Sequence, residues 1–292
     1  MKDMRINAGE IELQVRDYPN AGDAILFLHY GGGNMVMWQD VVPFFRDDFH
    51  IVLVDLRGHG KSDKPKEGYH IDVMAEDVVK VLEFLGIEKA HVVGSSLGAE
   101  VGLSLAANHP DKVRSLVCEG ALFNEWGPYG LCEGTQAAFE VHAKEKLESL
   151  RNRQENAYSS VDEMIAEKKK FFDKYNWWNE TLEAVIRYDA IKREDGKYVE
   201  SWGRIALQYE IHFMFYNFGE YYQRVQCPVL MMSDLYPGQD ERELAIMDAL
   251  FKLVKQGKIV RVPQWVHPYG WMITPEAGSR VVKAFLNEIQ EK

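Results

Sequence analysis

The segment VVGSSLGAE (92–100) sets Ser96 between Gly94 and Gly98, behind an apolar run and ahead of a helical pattern. That G-x-S-x-G spacing suits a nucleophile. The bend must be sharp, its neighbours must lack bulk, and the following helix aims N–H groups at developing negative charge. Ser95 falls outside the spacing. The competing reading is a turn whose two hydroxyls only help a strand become a helix. A serine attacks only when a neighbouring base takes its proton, so an imidazole with a pKa near neutrality is required. Of nine histidines, His267 in WVHPYGW (265–271) follows a late strand and precedes the last helical segment. The others read as structural: His59 and His109 lie in turn-rich stretches, His91 opens a strand, His142 sits in a charged helix, and His29 precedes a glycine run. His212 differs, standing among aromatics as a candidate to touch substrate. No HExxH or other close ligand cluster occurs, so neither a catalytic metal nor another cofactor is expected.

The elements that must position these residues follow from apolar patterning. From Arg5 to Val15 apolar and polar residues alternate, as in an exposed antiparallel hairpin. AILFLH (24–29), HIVLVDL (50–56), AHVVGSS (90–96) and VRSLVCEG (113–120) are nearly continuous apolar runs, the pattern of strands buried on both faces. Helical periodicity fills the gaps, in VMWQDVVPFFRD, IDVMAEDVVKVLEFLG and LGAEVGLSLAANHP. Strand alternating with helix predicts an α/β fold with a mostly parallel sheet covered by helices on both faces. The alternation stops near Gly120 and returns with PVLMMSD (228–234), a helix from about Glu241, KIVRVP (258–263) and a last helix from about Pro275 to Ile289. The stretch between is charged and helical, then dense in aromatics. The expected organisation is a core of 1–120 and 227–292 interrupted by a mainly helical cap, 121–226.

These motifs together resemble the α/β-hydrolase family. LHYGGGN (28–34) resembles its oxyanion loop, DLRGHGKSD (55–63) the turn after its fourth strand, VVGSSLGAE its nucleophile elbow, and WVHPYGW its late histidine loop. The resemblance implies Ser96 as nucleophile, His267 as base, and an oxyanion hole from the N–H groups of Gly31 and Leu97, with Gly32 a substitute for Gly31 because Tyr30 replaces the more usual glycine after His29. Taken alone, the glycine run is equally a flexible loop, and it lacks the lysine and hydroxyl of a phosphate cradle. RGHGKSD, with too few correctly spaced glycines for a dinucleotide, is assigned a structural role. The family's acid usually sits a few residues beyond its seventh strand, where this chain has Asp234, Leu235, Tyr236 and Pro237. Asp240 is the first candidate, although with Glu243 it also forms a helix-capping box. Glu119, at the end of the sixth strand, is the alternative acid, because some relatives carry theirs there and a charge at the end of a buried strand needs a reason. Asp234 stands third.

A serine at the elbow argues against the family's epoxide hydrolases and haloalkane dehalogenases, which use aspartate there. Hydrolysis of a small carboxylic ester through an acyl-enzyme is the leading expectation. Amide, aminopeptidase or carbon–carbon bond hydrolysis on the same triad, or a small-molecule receptor with little turnover, are the alternatives. The cap aromatics suggest an apolar or aromatic small-molecule substrate, with Tyr30, Trp178, His212 and Tyr216 as candidate binding residues, although most such rings pack a cap against its core. The chain of 292 residues carries 34 basic and 45 acidic residues, net -11, which argues against nucleic acid or an anionic membrane as partner. Three scattered cysteines, no apolar leader and no run of about 18 apolar residues make a cytoplasmic protein the expectation. Nothing in the sequence sets an oligomeric state.

Overall fold

The computed structural model describes residues 1–120, 123–235 and 241–290, apart from the side chains of Arg204 and Leu235. Its strands are β1 (Lys2–Asn7), β2 (Glu12–Tyr18), β3 (Ala24–Leu28), β4 (His50–Val54), β5 (Ala90–Ser95), β6 (Val113–Glu119), β7 (Ile191–Lys192), β8 (Tyr198–Val199), β9 (Val229–Leu235) and β10 (Gly257–Pro263). Its helices are α1 (Ile71–Phe84), α2 (Leu97–Asn108), α3 (Gln136–Arg151), α4 (Val161–Asp173), α5 (Glu180–Asp189), α6 (Ser201–Phe213), α7 (Phe218–Arg224), α8 (Glu241–Phe251), α9 (Gly270–Ile273) and α10 (Pro275–Gln290). Eight strands form one sheet in the order β1-β2-β4-β3-β5-β6-β9-β10. β1 and β2 pair antiparallel, β2 joins β4 antiparallel, and every remaining neighbour is parallel.

Alternation along the strands builds two cores. In β3 every residue is buried, but Ile25 and Phe27 point to one layer while Leu26 and Leu28 point to the other. β4 repeats this with Ile51 and Leu53 against Val52 and Val54. The layer of Leu26 and Val52 packs against α1 and α2; the layer of Phe27 and Leu53 packs against Trp38, Trp271 and α10. A strand buried on both faces has no polar alternation, which is why these runs read as continuously apolar. α2 crosses the middle of the sheet, with Leu97 through Ala107 all buried.

One expected helix is different. VMWQDVVPFFRD does not form an α-helix; it folds as two 3₁₀ turns, Met35–Trp38 and Val42–Phe44. Pro43 in the second turn has no N–H to donate, so a continuous i to i−4 ladder cannot run through it.

Between β6 and β9 lie α3 to α7 and the β7–β8 hairpin. This insert is fastened to the core by polar contacts. Asn179 caps α5, its Oδ1 accepting from Leu182 N–H at 2.9 Å, while its Nδ2 donates to the Met272 carbonyl at 2.8 Å. Replacing Asn179 with alanine is therefore expected to lower stability by about 1 kcal/mol, read as a lower urea midpoint at unchanged m-value; an unchanged midpoint counts against the cap. No helix among the described residues is long and apolar enough to cross a membrane.

Candidate active site

Ser96 lies where β5 ends and α2 begins, with φ 51 and ψ -120. For a residue with a Cβ this is a strained backbone, of order 1–3 kcal/mol, that persists only when the surroundings enforce it. They do so here. The α2 backbone passes so close to β3 that a Cβ on Gly98 would collide with the Leu28 carbonyl. The Ser96 side chain makes no capping hydrogen bond to α2, so its hydroxyl is not used to start the helix. The first N–H groups of a helix have no intrahelical acceptor, and Leu97 supplies the first of them beside the serine.

Ser95 has a different partner. It lies opposite Glu119 in the parallel pairing of β5 with β6, and its Oγ donates to Glu119 Oε2 at 2.6 Å. Glu119 is 1% exposed and accepts three further bonds: from Trp265 Nε1 at 3.1 Å, Trp271 Nε1 at 3.3 Å and His267 Nδ1 at 2.5 Å. Burial acts to raise its pKa, but the His267 charge and the bonds from His267, Ser95 and Trp265 outweigh it, leaving the carboxyl below the ordinary value. The buried end of β6 thus holds an ionised carboxylate with its lone pairs occupied.

His267 stands on the loop after β10, its side chain 37% exposed. With Glu119 as acceptor, Nδ1 carries the proton and Nε2 is left for chemistry. Burial works to lower its pKa; the charge and hydrogen bond of Glu119, then the charge of Asp234, raise it above the usual imidazole value. Gly120, with φ +96, has no room for a side chain: a Cβ there would come 2.9 Å from His267 Cε1 and 3.0 Å from Ser96 Cα. Ser96 and His267 line one cavity of about 310 Å³ together with Glu100, Phe213, Phe218, Asp234 and Met247. Among the described residues no hydrogen bond joins Ser96 Oγ to the imidazole, a contact that typically tightens only with substrate bound.

The glycine loop is held by buried polar groups. His29 is fully buried, donates from Nδ1 to the Tyr30 carbonyl at 2.8 Å and accepts Leu56 N–H at Nε2 at 3.0 Å. Burial lowers its pKa to about 4, so it is neutral and acts as a brace. Asp55 accepts from the Met35 N–H at 2.7 Å, the Lys61 N–H at 2.8 Å and the Tyr188 hydroxyl at 2.9 Å, tying the DLRGHGKSD turn to the loop and to α5. The Trp202 indole lies against Gly31 and Gly32, where a Cβ on Gly31 would approach it to 2.8 Å.

The structure does not gather all of the sequence-expected residues. Asp240 lies outside the described residues. Asp234 lines the cavity but makes no hydrogen bond to His267 among the described residues; the imidazole's Nδ1 is engaged by Glu119. Of the four candidate binding residues, Tyr30 lines a second cavity of about 530 Å³ with Gly31, Trp202, Asp189 and Tyr269, whereas Trp178, His212 and Tyr216 line neither. Trp178 packs near Phe172 under Lys169 Nζ, His212 meets the His70 ring, and the Tyr216 hydroxyl accepts from Ile71 N–H at 3.0 Å. Their apolar faces are used for packing. Phe213 and Phe218, from the same aromatic stretch, reach the serine's cavity instead. Glu100 lies outside the G-x-S-x-G pattern; the signal for it is an acidic residue in an otherwise apolar helix, one turn past the serine.

A mostly parallel eight-stranded sheet with this elbow defines the class, and the family model for the alpha/beta hydrolase fold matches residues 23–241. The chain belongs to that family. It is 40% identical over 107 residues to a putative carbamate hydrolase RutD of Caulobacter segnis, covering 36% of this chain and 40% of that protein. It is 38% identical over 113 residues to a 2-(acetamidomethylene)succinate hydrolase of Mesorhizobium japonicum, covering 39% and 40%. The matched stretch therefore spans about two-fifths of these curated relatives. Among solved structures, E-2-(acetamidomethylene)succinate hydrolase superposes with TM-score 0.76 at 24% identity, over 98% of this chain and 99% of that one. The enol-lactonase from Burkholderia xenovorans LB400 gives 0.68 at 18%, over 98% and 100%. The relatives by sequence are hydrolases of several kinds, so hydrolase chemistry is common to the family while the bond cleaved varies.

Proposed function

We propose that this protein is a serine hydrolase that cleaves a small carboxylic ester through an acyl-enzyme at Ser96. The observation that carries the reading is a strained, uncapped Ser96 sharing one cavity with His267, whose imidazole is anchored through Nδ1 to Glu119. In this reading Ser96 Oγ attacks the carbonyl carbon as His267 Nε2 takes its proton. Glu119 holds the ring and stabilises the imidazolium. The oxyanion is received by the N–H groups of Leu97 and Gly31, fixed dipoles that need no reorganisation. Collapse of the tetrahedral adduct breaks the ester bond, and the proton on His267 goes to the departing alcohol. Water, deprotonated by the same imidazole, then releases the acid. The insert acts as a cap whose Phe213 and Phe218 provide the apolar wall of a small-molecule pocket. Free Cys118, Cys132 and Cys227 suit a cytoplasmic setting.

The test is covalent labelling with a fluorophosphonate, followed by peptide mass mapping, alongside pre-steady-state hydrolysis of p-nitrophenyl acetate. The phosphonyl group is expected on Ser96, together with a burst of p-nitrophenol that Ser96→Ala abolishes. A folded protein that stays unlabelled overturns the proposal.

A further inference from the structure

Glu100 sits one turn along α2 from Ser96, about 6 Å along the helix axis. It is 4% exposed and lines the same cavity as the serine. α2 is buried along its length, and the cavity is where Glu100 meets open space. Oε2 accepts from the Tyr209 hydroxyl of α6 at 2.6 Å, whereas Oε1 has no protein partner among the described residues. Glu119, the other fully buried carboxylate of this wall, has four donors. Asp234 and Glu243 add two more carboxyl groups, and among the described residues His267 is the only basic side chain that lines the cavity. The stretches 121–122 and 236–240 contain no lysine or arginine.

A largely buried carboxyl with one oxygen bonded to Tyr209 and the other, at a cavity wall, given no protein donor among the described residues is a poor structural choice, since a glutamine would accept the Tyr209 hydroxyl equally well. We propose that Glu100 recognises an ammonium group on the substrate, placed a short aliphatic spacer from the scissile carbonyl, so that the enzyme prefers esters of amino-substituted acids and rejects those bearing a second carboxylate. The inference rests on the hydrolase reading and adds the substrate class. An ammonium supplies donors and counter-charge, while a substrate carboxylate would face carboxyl groups and, among the described lining residues, no basic side chain but the catalytic imidazole. Burial chiefly, with the charge of Glu210 adding, pushes the Glu100 pKa up to about 7, against the Tyr209 bond and His267, so a cation that favours ionisation gains most from binding there.

The experiment uses three esters of similar shape: ethyl 4-aminobutanoate, ethyl pentanoate and monoethyl succinate. Binding is measured by calorimetry on Ser96→Ala, and kcat/KM on the wild type by pH-stat. The amino ester is expected to bind at least tenfold more tightly than the pentanoate, with the succinate weakest, and kcat/KM should follow that order. Introducing Glu100→Gln beside Ser96→Ala is expected to bring the ammonium preference to within about threefold of unity. Equal or tighter binding of pentanoate or succinate overturns the proposal, and needs no Glu100 variant to do so. A preference that persists in Glu100→Gln overturns the assignment to this residue. If the binding order holds but no ester is hydrolysed by the wild type, the recognition site stands and the hydrolase reading falls.

Discussion

Glu119→Gln is expected to lower kcat for ester hydrolysis by about ten-thousand-fold, with the far-ultraviolet spectrum and the urea unfolding transition showing an intact fold. Removing the acid's charge from a serine–histidine relay has a cost of that order, because the amide can neither hold the required tautomer nor balance the imidazolium. The geometry makes the effect specific, since Nδ1 of His267 is bonded to Glu119 Oε1. A second readout is the pH profile. The group that must be neutral in the free enzyme is His267, and its pKa is raised by Glu119 against burial. kcat/KM should therefore rise with pH through a value above 6.5, the ordinary imidazole pKa, and in Glu119→Gln the residual activity should begin at lower pH. If Asp240→Ala shows the large loss while Glu119→Gln keeps near wild-type turnover, the acid lies beyond β9 instead.

Glu100→Gln should change stability with a definite sign. An unfolded glutamate titrates near 4.3, whereas burial raises Glu100 to about 7 in the folded protein. Between these values the folded state holds more protons than the unfolded one, so stability falls as pH rises through this window. Above pH 8 the full penalty, about 4 kcal/mol, is present; below pH 4 it is absent. Glutamine carries no charge and can still accept from Tyr209. The variant is therefore expected to melt several degrees above wild type at pH 8.5 and to show little gain at pH 4. Equal melting temperatures at pH 8.5 would mean that Glu100 is not carrying an uncompensated charge. A residue that lowers stability near the serine is typical of function being kept at the expense of the fold.

Much of this architecture is legible in the chain because burial on both faces leaves continuous apolar runs, and β3 to β6 are such runs. The bend at Ser96 is legible for a similar reason: two glycines at fixed spacing are needed where helix and strand backbones nearly touch. Choosing an acid is harder. Glu119 and Asp234 are both carboxylates at the ends of parallel strands, Asp240 follows the second of them in the sequence, and pattern alone does not say which carboxylate meets the imidazole. Glu119 reaches it because β6 lies beside β5, opposite Ser95, and two tryptophans of the histidine segment donate to it. The aromatic residues of the insert are less legible as well. Their spacing marks a packed helical face, but only the crossing of α6 and α7 over the core separates Phe213 and Phe218 from Tyr216.

With nucleophile and acid on adjacent strands at the sheet's centre, the proposed proton relay owes nothing to the helices inserted between β6 and β9. That insert is then available for exchange. Helices of other lengths and compositions could be grafted between β6 and β9, in place of those that carry Phe213 and Phe218, to retune which molecules are admitted, while the machinery that moves the proton stays as it is.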